Sequence, residues 1–179
     1  MKKIILMALT SVLFSIHSMA ANNTTCVPQQ KQKKVAALGN DFKDATLVTL
    51  QGDTVRLSDY VGHHKFVLVD FWASWCGPCK MEMPDFNDAY AELGEDVHFL
   101  MVNMTSGRET LESATSFIEE QGYSFPVYYD TDADAAMTYG IYSLPTTLFI
   151  DAEGYGIAQA TGAINAETLQ RGIDMILTE

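Results

Sequence analysis

The stretch Val67–Lys80, which reads Val-Leu-Val-Asp-Phe-Trp-Ala-Ser-Trp-Cys-Gly-Pro-Cys-Lys, places two cysteines between a strand pattern and a helix pattern. The mainly apolar run Lys65–Phe71 has the length of a strand buried on both faces. Cys76 and Cys79 follow it with two residues between them, so their sulfurs can close a small disulfide ring. The N-terminus of the next helix stabilises a thiolate there. A Cys-x-x-Cys at such a junction predicts a redox-active dithiol.

Half of a zinc site is the alternative interpretation of the same pair. A zinc site needs two further ligands at comparable spacing. The remaining cysteine is Cys26, and His63, His64 and His98 form no second pair at zinc-finger spacing. We therefore expect no metal, and the dithiol chemistry requires no other cofactor.

The first 20 residues have the pattern of a secretory signal peptide. Lys2 and Lys3 precede an apolar stretch, and Ser18-Met19-Ala20 is a small-x-small cleavage site. The apolar stretch is shorter than the roughly 20 residues that span a bilayer. The sequence thus predicts an exported protein, periplasmic or otherwise extracytoplasmic, and disfavours an uncleaved membrane anchor.

Charge and length limit the remaining possibilities. The chain has 179 residues and a net charge of −12, and loss of Lys2 and Lys3 with the signal makes it more acidic. Such a charge argues against nucleic acid as a partner. Residues 21–38 are predicted to be a flexible tether, because they are polar and lack a hydrophobic period, and residues 39–179 to form one monomeric domain.

Strand and helix patterns alternate along this domain. A hairpin is expected around Gln51-Gly52-Asp53, and a second turn at Asp151–Gly154 leads into the last strand. Asn165 is expected to cap a final helix that ends near Leu177. The alternation predicts an α/β three-layer sandwich with a mixed central sheet.

The motif itself resembles a known family. Trp75–Lys80, with Asp70 and Pro84, resembles thioredoxin, and the wider pattern resembles the exported TlpA/ResA-type thiol-disulfide oxidoreductases. That wider pattern comprises Leu57–Tyr60 with Gly62, the segment Cys79–Pro84, an extra strand and helix before Leu144–Thr147, and the export signal. The resemblance covers roughly residue 39 to the C-terminus. It implies a thioredoxin-like sandwich with an N-terminal hairpin and a strand-helix insertion.

The resemblance also implies roles for the dithiol and its neighbours. Cys76 would be the exposed attacking nucleophile, and Cys79 would resolve the mixed disulfide. Asp70 ends the apolar strand; a buried carboxyl there would have a raised pKa and could take the proton of Cys79, whereas the alternative is a strand end facing water. Glu82 shares a helical face with Cys79. It would tune the dithiol, or else be an ordinary exposed glutamate favoured by the helix dipole.

Substrate contacts follow from the same resemblance. Pro145 matches the family's cis-proline facing the dithiol, and the backbone of Leu144 would then pair with an extended substrate segment. Trp75 is expected to contact substrate together with Gly77 and Pro78 of the active-site loop. Trp72 is expected to pack in the core.

The predicted function is reduction of protein disulfides outside the cytoplasm, with electrons supplied by a membrane thiol-disulfide donor. Asp70 and the Gly-Pro dipeptide depart from what we expect of cytochrome-maturation members and favour a general reductase. One alternative is a peroxiredoxin-like thiol peroxidase, although the Thr-x-x-Cys context of that group is absent before Cys76. The other is a non-catalytic holdase that only binds at Leu144-Pro145.

Overall fold

The central sheet of the computed structural model is mixed and has eight strands in the residues that the structure describes, 36–41 and 43–177. The strands are β1 Ala36–Asp41, β2 Thr46–Val48, β3 Thr54–Arg56, β4 Phe66–Trp72, β5 Val97–Asn103, β6 Val127–Tyr129, β7 Thr146–Ile150 and β8 Tyr155–Thr161. Their order across the sheet is β1-β8-β7-β4-β5-β6-β2-β3. The strand before the two cysteines, β4, therefore lies near the middle.

Four α-helices accompany the sheet in the described residues: α1 Gly77–Leu93, α2 Leu111–Gln121, α3 Asp134–Tyr139 and α4 Ala166–Leu177. Strands β4, β5 and β6 run parallel to one another, and β7 is antiparallel to β4. Parallel neighbours need a crossover connection. Helices α1 and α2 supply the two crossovers here.

The alternation of side chains in β4 divides the interior into two layers. Leu68 and Trp72 pack on one face of the sheet with residues of α1 and α4. Val67, Val69 and Phe71 pack on the other face with residues of α3. This follows from the two-residue period of a strand. The predicted three-layer thioredoxin-like sandwich is confirmed.

Helix ends agree with the sequence signals at several positions. The side chain of Asn165 accepts a hydrogen bond from the backbone N–H of Thr168 at 3.0 Å at the start of α4. Gly122 ends α2 with φ of 69°, in the left-handed region that glycine adopts readily. At the other end of α2, Thr110 caps the helix, which starts at Leu111, so Glu109 lies outside it.

The predicted boundary between tether and domain also differs from the structure. Strand β1 begins at Ala36, inside the predicted tether of residues 21–38, and pairs antiparallel with β8. Its segment Ala-Ala-Leu-Gly has no alternating hydrophobic pattern, so only the neighbouring strand identifies it. The predicted signal peptide and the rest of the tether lie outside the described residues. Within the described part of the chain, no helix is long and apolar enough to cross a membrane.

Candidate active site

The two cysteines lie at the junction that the sequence predicts. Cys76 is the N-cap of α1, and its Sγ accepts a hydrogen bond from the backbone N–H of Cys79 at 3.2 Å. The two residues form a disulfide. Relative exposure is 4% for Cys76 and 0% for Cys79. Cys76 is thus the more accessible of the two, but it is less exposed than predicted.

Asp70 is fully buried on the face of the sheet against which Cys79 of α1 packs. Its side chain projects from the same face of β4 as those of Leu68 and Trp72, which pack in the same cluster as Cys79. The hydroxyl of Thr147 donates a hydrogen bond to Asp70 Oδ1 at 3.1 Å, and Oδ2 has no partner among the described residues. Burial raises the pKa of Asp70 to about 7, and the bond from Thr147 opposes part of that rise. The alternative of a strand end facing water is therefore wrong.

Glu82 is also buried, with a relative exposure of 1%. Its Oε2 accepts a hydrogen bond from the backbone N–H of Ile164 at 2.8 Å. This bond connects the second turn of α1 to the segment that precedes α4. The alternative of an exposed glutamate favoured by the helix dipole is wrong.

An open groove of about 440 Å³ brings most of the predicted substrate residues together. Trp75, Cys76, Gly77, Pro78 and Leu144 line it. The bond between Leu144 and Pro145 is cis, as the resemblance implies. Among the predicted site residues, Asp70, Cys79, Glu82 and Pro145 do not line the groove. Trp72 is buried in the core, as expected, and its ring packs against that of Phe117.

Glu109 is a site residue that sequence reasoning missed. Its carboxylate accepts hydrogen bonds from the backbone N–H of Ser74 at 2.8 Å, from the Ser74 hydroxyl at 2.9 Å and from Asn103 Nδ2 at 2.9 Å. It is 4% exposed. Because Ser74 lies two residues before Cys76, this carboxylate fixes the loop that presents the dithiol.

Arg108 and Tyr142 are two of the groove residues that sequence reasoning also missed. The Arg108 guanidinium lies over the Trp75 ring, 3.9 Å from its centroid, and Tyr142 is almost completely exposed. The strand pattern could have indicated that Arg108, in the loop after β5, lies near the dithiol. Carboxyl ends of parallel strands meet at one edge of a sheet, so the loops that follow β4 and β5 are neighbours.

No group of His, Cys, Asp and Glu suited to hold a metal ion occurs in the described residues.

Comparison with known proteins identifies the group to which the chain belongs. The model of the AhpC/TSA family matches residues 38–155, more than half of the chain. The protein is a member of the AhpC/TSA family.

Individual relatives of this AhpC/TSA family member are named for dithiol chemistry. The thiol-disulfide oxidoreductase ResA of Geobacillus kaustophilus is 34% identical over 146 residues, 81% of each chain. ResA of Oceanobacillus iheyensis is 32% identical over 171 residues, 93% of this chain and 82% of that one.

Solved structures show the same fold. A crystal structure assigned as the thiol:disulfide interchange protein DsbE of Chlorobium tepidum has a TM-score of 0.68 and 28% identity. It covers 80% of this chain and 99% of that one. The exposed lipoprotein thioredoxin of Streptococcus pneumoniae has a TM-score of 0.63 and 32% identity, and covers 74% and 99%. This family member is thus a thioredoxin-like thiol-disulfide oxidoreductase of the ResA-like kind, with Cys76 and Cys79 as its cysteine pair.

Proposed function

We propose that the protein reduces disulfides of partner proteins outside the cytoplasm. The observation that carries the proposal is the position of Cys76, at the start of α1 and on the wall of an open groove, with Cys79 buried behind it. A dithiol with one accessible and one covered sulfur suits sequential attack and release.

The reaction begins with both cysteines reduced. The thiolate of Cys76 attacks one sulfur of the substrate disulfide, forms a mixed disulfide and releases the other substrate sulfur as a thiolate. Cys79 loses its proton and attacks Cys76, which releases the second substrate thiolate and leaves the Cys76–Cys79 disulfide. Two electrons pass to the substrate. A membrane thiol-disulfide donor must return them, because the compartment outside the membrane is oxidising.

Asp70 is the proposed proton acceptor for Cys79. A carboxyl group with a pKa of about 7 exchanges protons near neutral pH. Its burial on the face of the sheet against which Cys79 packs supports this role. Glu82, which shares a helical face with Cys79 and is bonded to the backbone of Ile164, is proposed to tune the dithiol.

Leu144 is the proposed pairing edge for substrate. Its backbone makes no hydrogen bond to another backbone group within the described residues. It lies on the same groove as Cys76, Trp75, Gly77 and Pro78. An extended segment of a partner protein could therefore add its main chain at Leu144 while its disulfide meets Cys76.

The direction of the reaction is tested by measuring the reduction potential in glutathione buffers. A reductase should have a potential near that of thioredoxin, about −270 mV, whereas an oxidant such as DsbA lies near −120 mV. A potential above about −180 mV, that of protein disulfide isomerase, would contradict the proposed direction. The oxidoreductase class itself would remain.

Two rival functions are separated by activity assays. The family match makes a thiol peroxidase worth testing, although Ala73 occupies the position of the threonine in Thr-x-x-Cys. We expect rapid turnover of insulin disulfides with dithiothreitol, and consumption of hydrogen peroxide no faster than by free thiols. A holdase would protect insulin from precipitation without reducing it, and Cys76→Ser would act as well as the parent protein.

Export is tested by N-terminal sequencing of the protein from its native host. We expect the mature chain to start at Ala21, directly after the predicted cleavage site. A chain that retains Met1 and fractionates with membranes would support the uncleaved anchor instead.

A further inference from the structure

We infer that Arg108 makes the protein select substrate segments that carry an Asp or Glu beside the reacting cysteine. The inference rests on the proposed reductase function and names the chemistry of its substrate. Arg108 acts here as a specificity-determining residue and takes no part in the exchange of sulfur bonds.

The first observation is the composition of the groove. Among the described residues that line it, Arg108 alone carries a charge. The others are neutral: Trp75, Cys76, Gly77, Pro78, Met104, Ile141, Tyr142, Ser143 and Leu144. A protein with a net charge of −12 thus presents an isolated cation where its substrate must bind.

The second observation is that no group of the described residues neutralises this cation. Within the described part of the chain, no carboxylate forms an ion pair with Arg108 and no atom accepts a hydrogen bond from it. The adjacent acid, Glu109, points inward and is bonded to Ser74 and Asn103. Arg108 is exposed.

The third observation is that the guanidinium is held in place. It lies 3.9 Å from the centroid of the Trp75 ring, within the range of a cation–π contact. Trp75 is the residue directly before Cys76. Because a guanidinium has five N–H donors in a fixed planar fork, an arginine held against a ring keeps donors for a carboxylate. A held arginine also loses less side-chain freedom when it binds.

Together these observations favour an acidic substrate segment. A carboxylate near the substrate cysteine would pair with Arg108 while the disulfide meets Cys76. An ammonium in the same place would face an unpaired guanidinium. At physiological salt, the acidic groups of the surface are screened from a substrate more than about 8 Å away. The charge that touches the substrate, that of Arg108, therefore decides the preference.

The test uses the reduced full-length protein and three peptides with one internal disulfide, identical except for Glu, Gln or Lys beside one cysteine. Single-turnover reduction is followed at about 0.15 M salt by the peptide thiols that appear. We expect the Glu peptide to react about two- to fivefold faster than the Lys peptide, the effect of one partly exposed ion pair. The Gln peptide should lie between them.

Variants assign the preference to one side chain. Arg108→Gln should abolish the Glu-over-Lys ratio, Arg108→Lys should retain part of it, and Arg108→Glu should reverse it. Arg171→Gln is the matched control: it removes the same charge from the exposed side of α4, outside the groove, and should keep the parent ratio. Each ratio compares peptides on one protein, so a general loss of activity does not alter it.

Two outcomes would overturn the inference. One is a parent protein that reduces all three peptides equally or prefers the Lys peptide. The other is an Arg108→Gln protein that keeps the parent ratio. If the parent protein reduces none of the peptides, the reductase proposal itself fails, which is a different result.

Discussion

At the scale of single residues, the buried carboxyl of Asp70 affects both the stability of the fold and the proposed proton transfer from Cys79. Its pKa in the folded protein, about 7, lies above the ordinary value of 3.8. Folding therefore favours the protonated carboxyl. The resulting stabilisation is complete below pH 3.8 and is lost as the pH rises to about 7. Above that pH the buried carboxylate opposes folding by a constant amount.

Asp70→Asn should therefore stabilise the fold and slow turnover. Its stability advantage should grow between pH 3.8 and about 7 and then level off, reaching on the order of a few kcal/mol. Turnover should fall because an amide cannot accept the proton of Cys79. Urea unfolding across the pH range and insulin reduction measure the two effects. A difference in stability that does not change with pH would show that Asp70 does not titrate in this window.

Thr147→Val is the matched control for Asp70→Asn. It leaves the carboxyl in place but removes the hydroxyl that donates to Oδ1. Because that bond favours the charged form, its loss should lower stability most at high pH, opposite to the effect of Asp70→Asn.

The two cysteines should differ in reactivity once reduced. Cys76 lines the groove and caps α1, whereas Cys79 is completely buried. Iodoacetamide near neutral pH should label Cys76 first, since the accessible thiolate at a helix N-terminus reacts fastest. Mass mapping of the labelled peptide checks the site. Preferential labelling of Cys79 would exchange the proposed roles of nucleophile and resolving thiol.

At the scale of elements, Glu109 joins the end of β5, the loop before α1 and the start of α2. Its removal leaves the backbone N–H of Ser74 and the amide of Asn103 without their shared acceptor. Glu109→Ala should cost about 2 to 4 kcal/mol, because buried donors lose a charged partner. It should also slow insulin reduction through disorder of the loop at Cys76.

Glu112→Ala is the control for Glu109. Glu112 lies in the first turn of α2 and is exposed, so its loss should cost less than about 1 kcal/mol. Equal effects of the two substitutions on denaturation would show that the Glu109 network adds no stability.

The contact between α4 and β7 depends on the absence of a side chain at Gly172. A Cβ built there would overlap the ring of Phe149, which is fully buried. Gly172→Ala should thus destabilise the protein by about 1 to 3 kcal/mol, although alanine is the better helix former by about 1 kcal/mol. Thermal unfolding measures the change.

Phe149→Leu provides the matched test of this contact. It vacates space where the new Cβ would lie, so the double substitution should cost less than the sum of the two single ones. If the costs of the two single substitutions simply add in the double one, the strain caused by Gly172→Ala does not come from the Phe149 ring.

At the scale of the whole molecule, Cys26 is the one cysteine left over when Cys76 and Cys79 pair with each other. We expect a monomer that slowly forms disulfide-linked dimers in air through Cys26. Cys26→Ser should abolish these dimers and leave insulin reduction unchanged. Non-reducing electrophoresis and the insulin assay measure the two effects. Loss of activity in a folded Cys26→Ser protein would mean that the N-terminal segment takes part in catalysis.

Much of the molecule could be predicted from local patterns. The positions of β4 and α1 and the cap at Asn165 follow from hydrophobic periods, turn residues and capping residues, each of which acts within a few positions of the chain. The dithiol was evident for the same reason, since its spacing and its junction are both local. Strand β1 was missed because its pairing with β8 joins segments about 120 positions apart, with no alternation to mark it.

The sequence by itself determined the fold class and the reacting sulfurs, because periodicity and the Cys-x-x-Cys spacing act over short stretches of chain. Only the tertiary structure decided which polar groups are buried. Asp70 and Glu82 each had an exposed alternative that depended on what packs over them, namely Thr147 of β7 and the segment before α4. Arg108 and Glu109 are adjacent in sequence, yet the Arg108 guanidinium lies in the groove over Trp75, whereas the Glu109 carboxylate is buried and bonded to Ser74. Burial and charge pairing depend on neighbours distant in sequence, and folding alone brings those neighbours together.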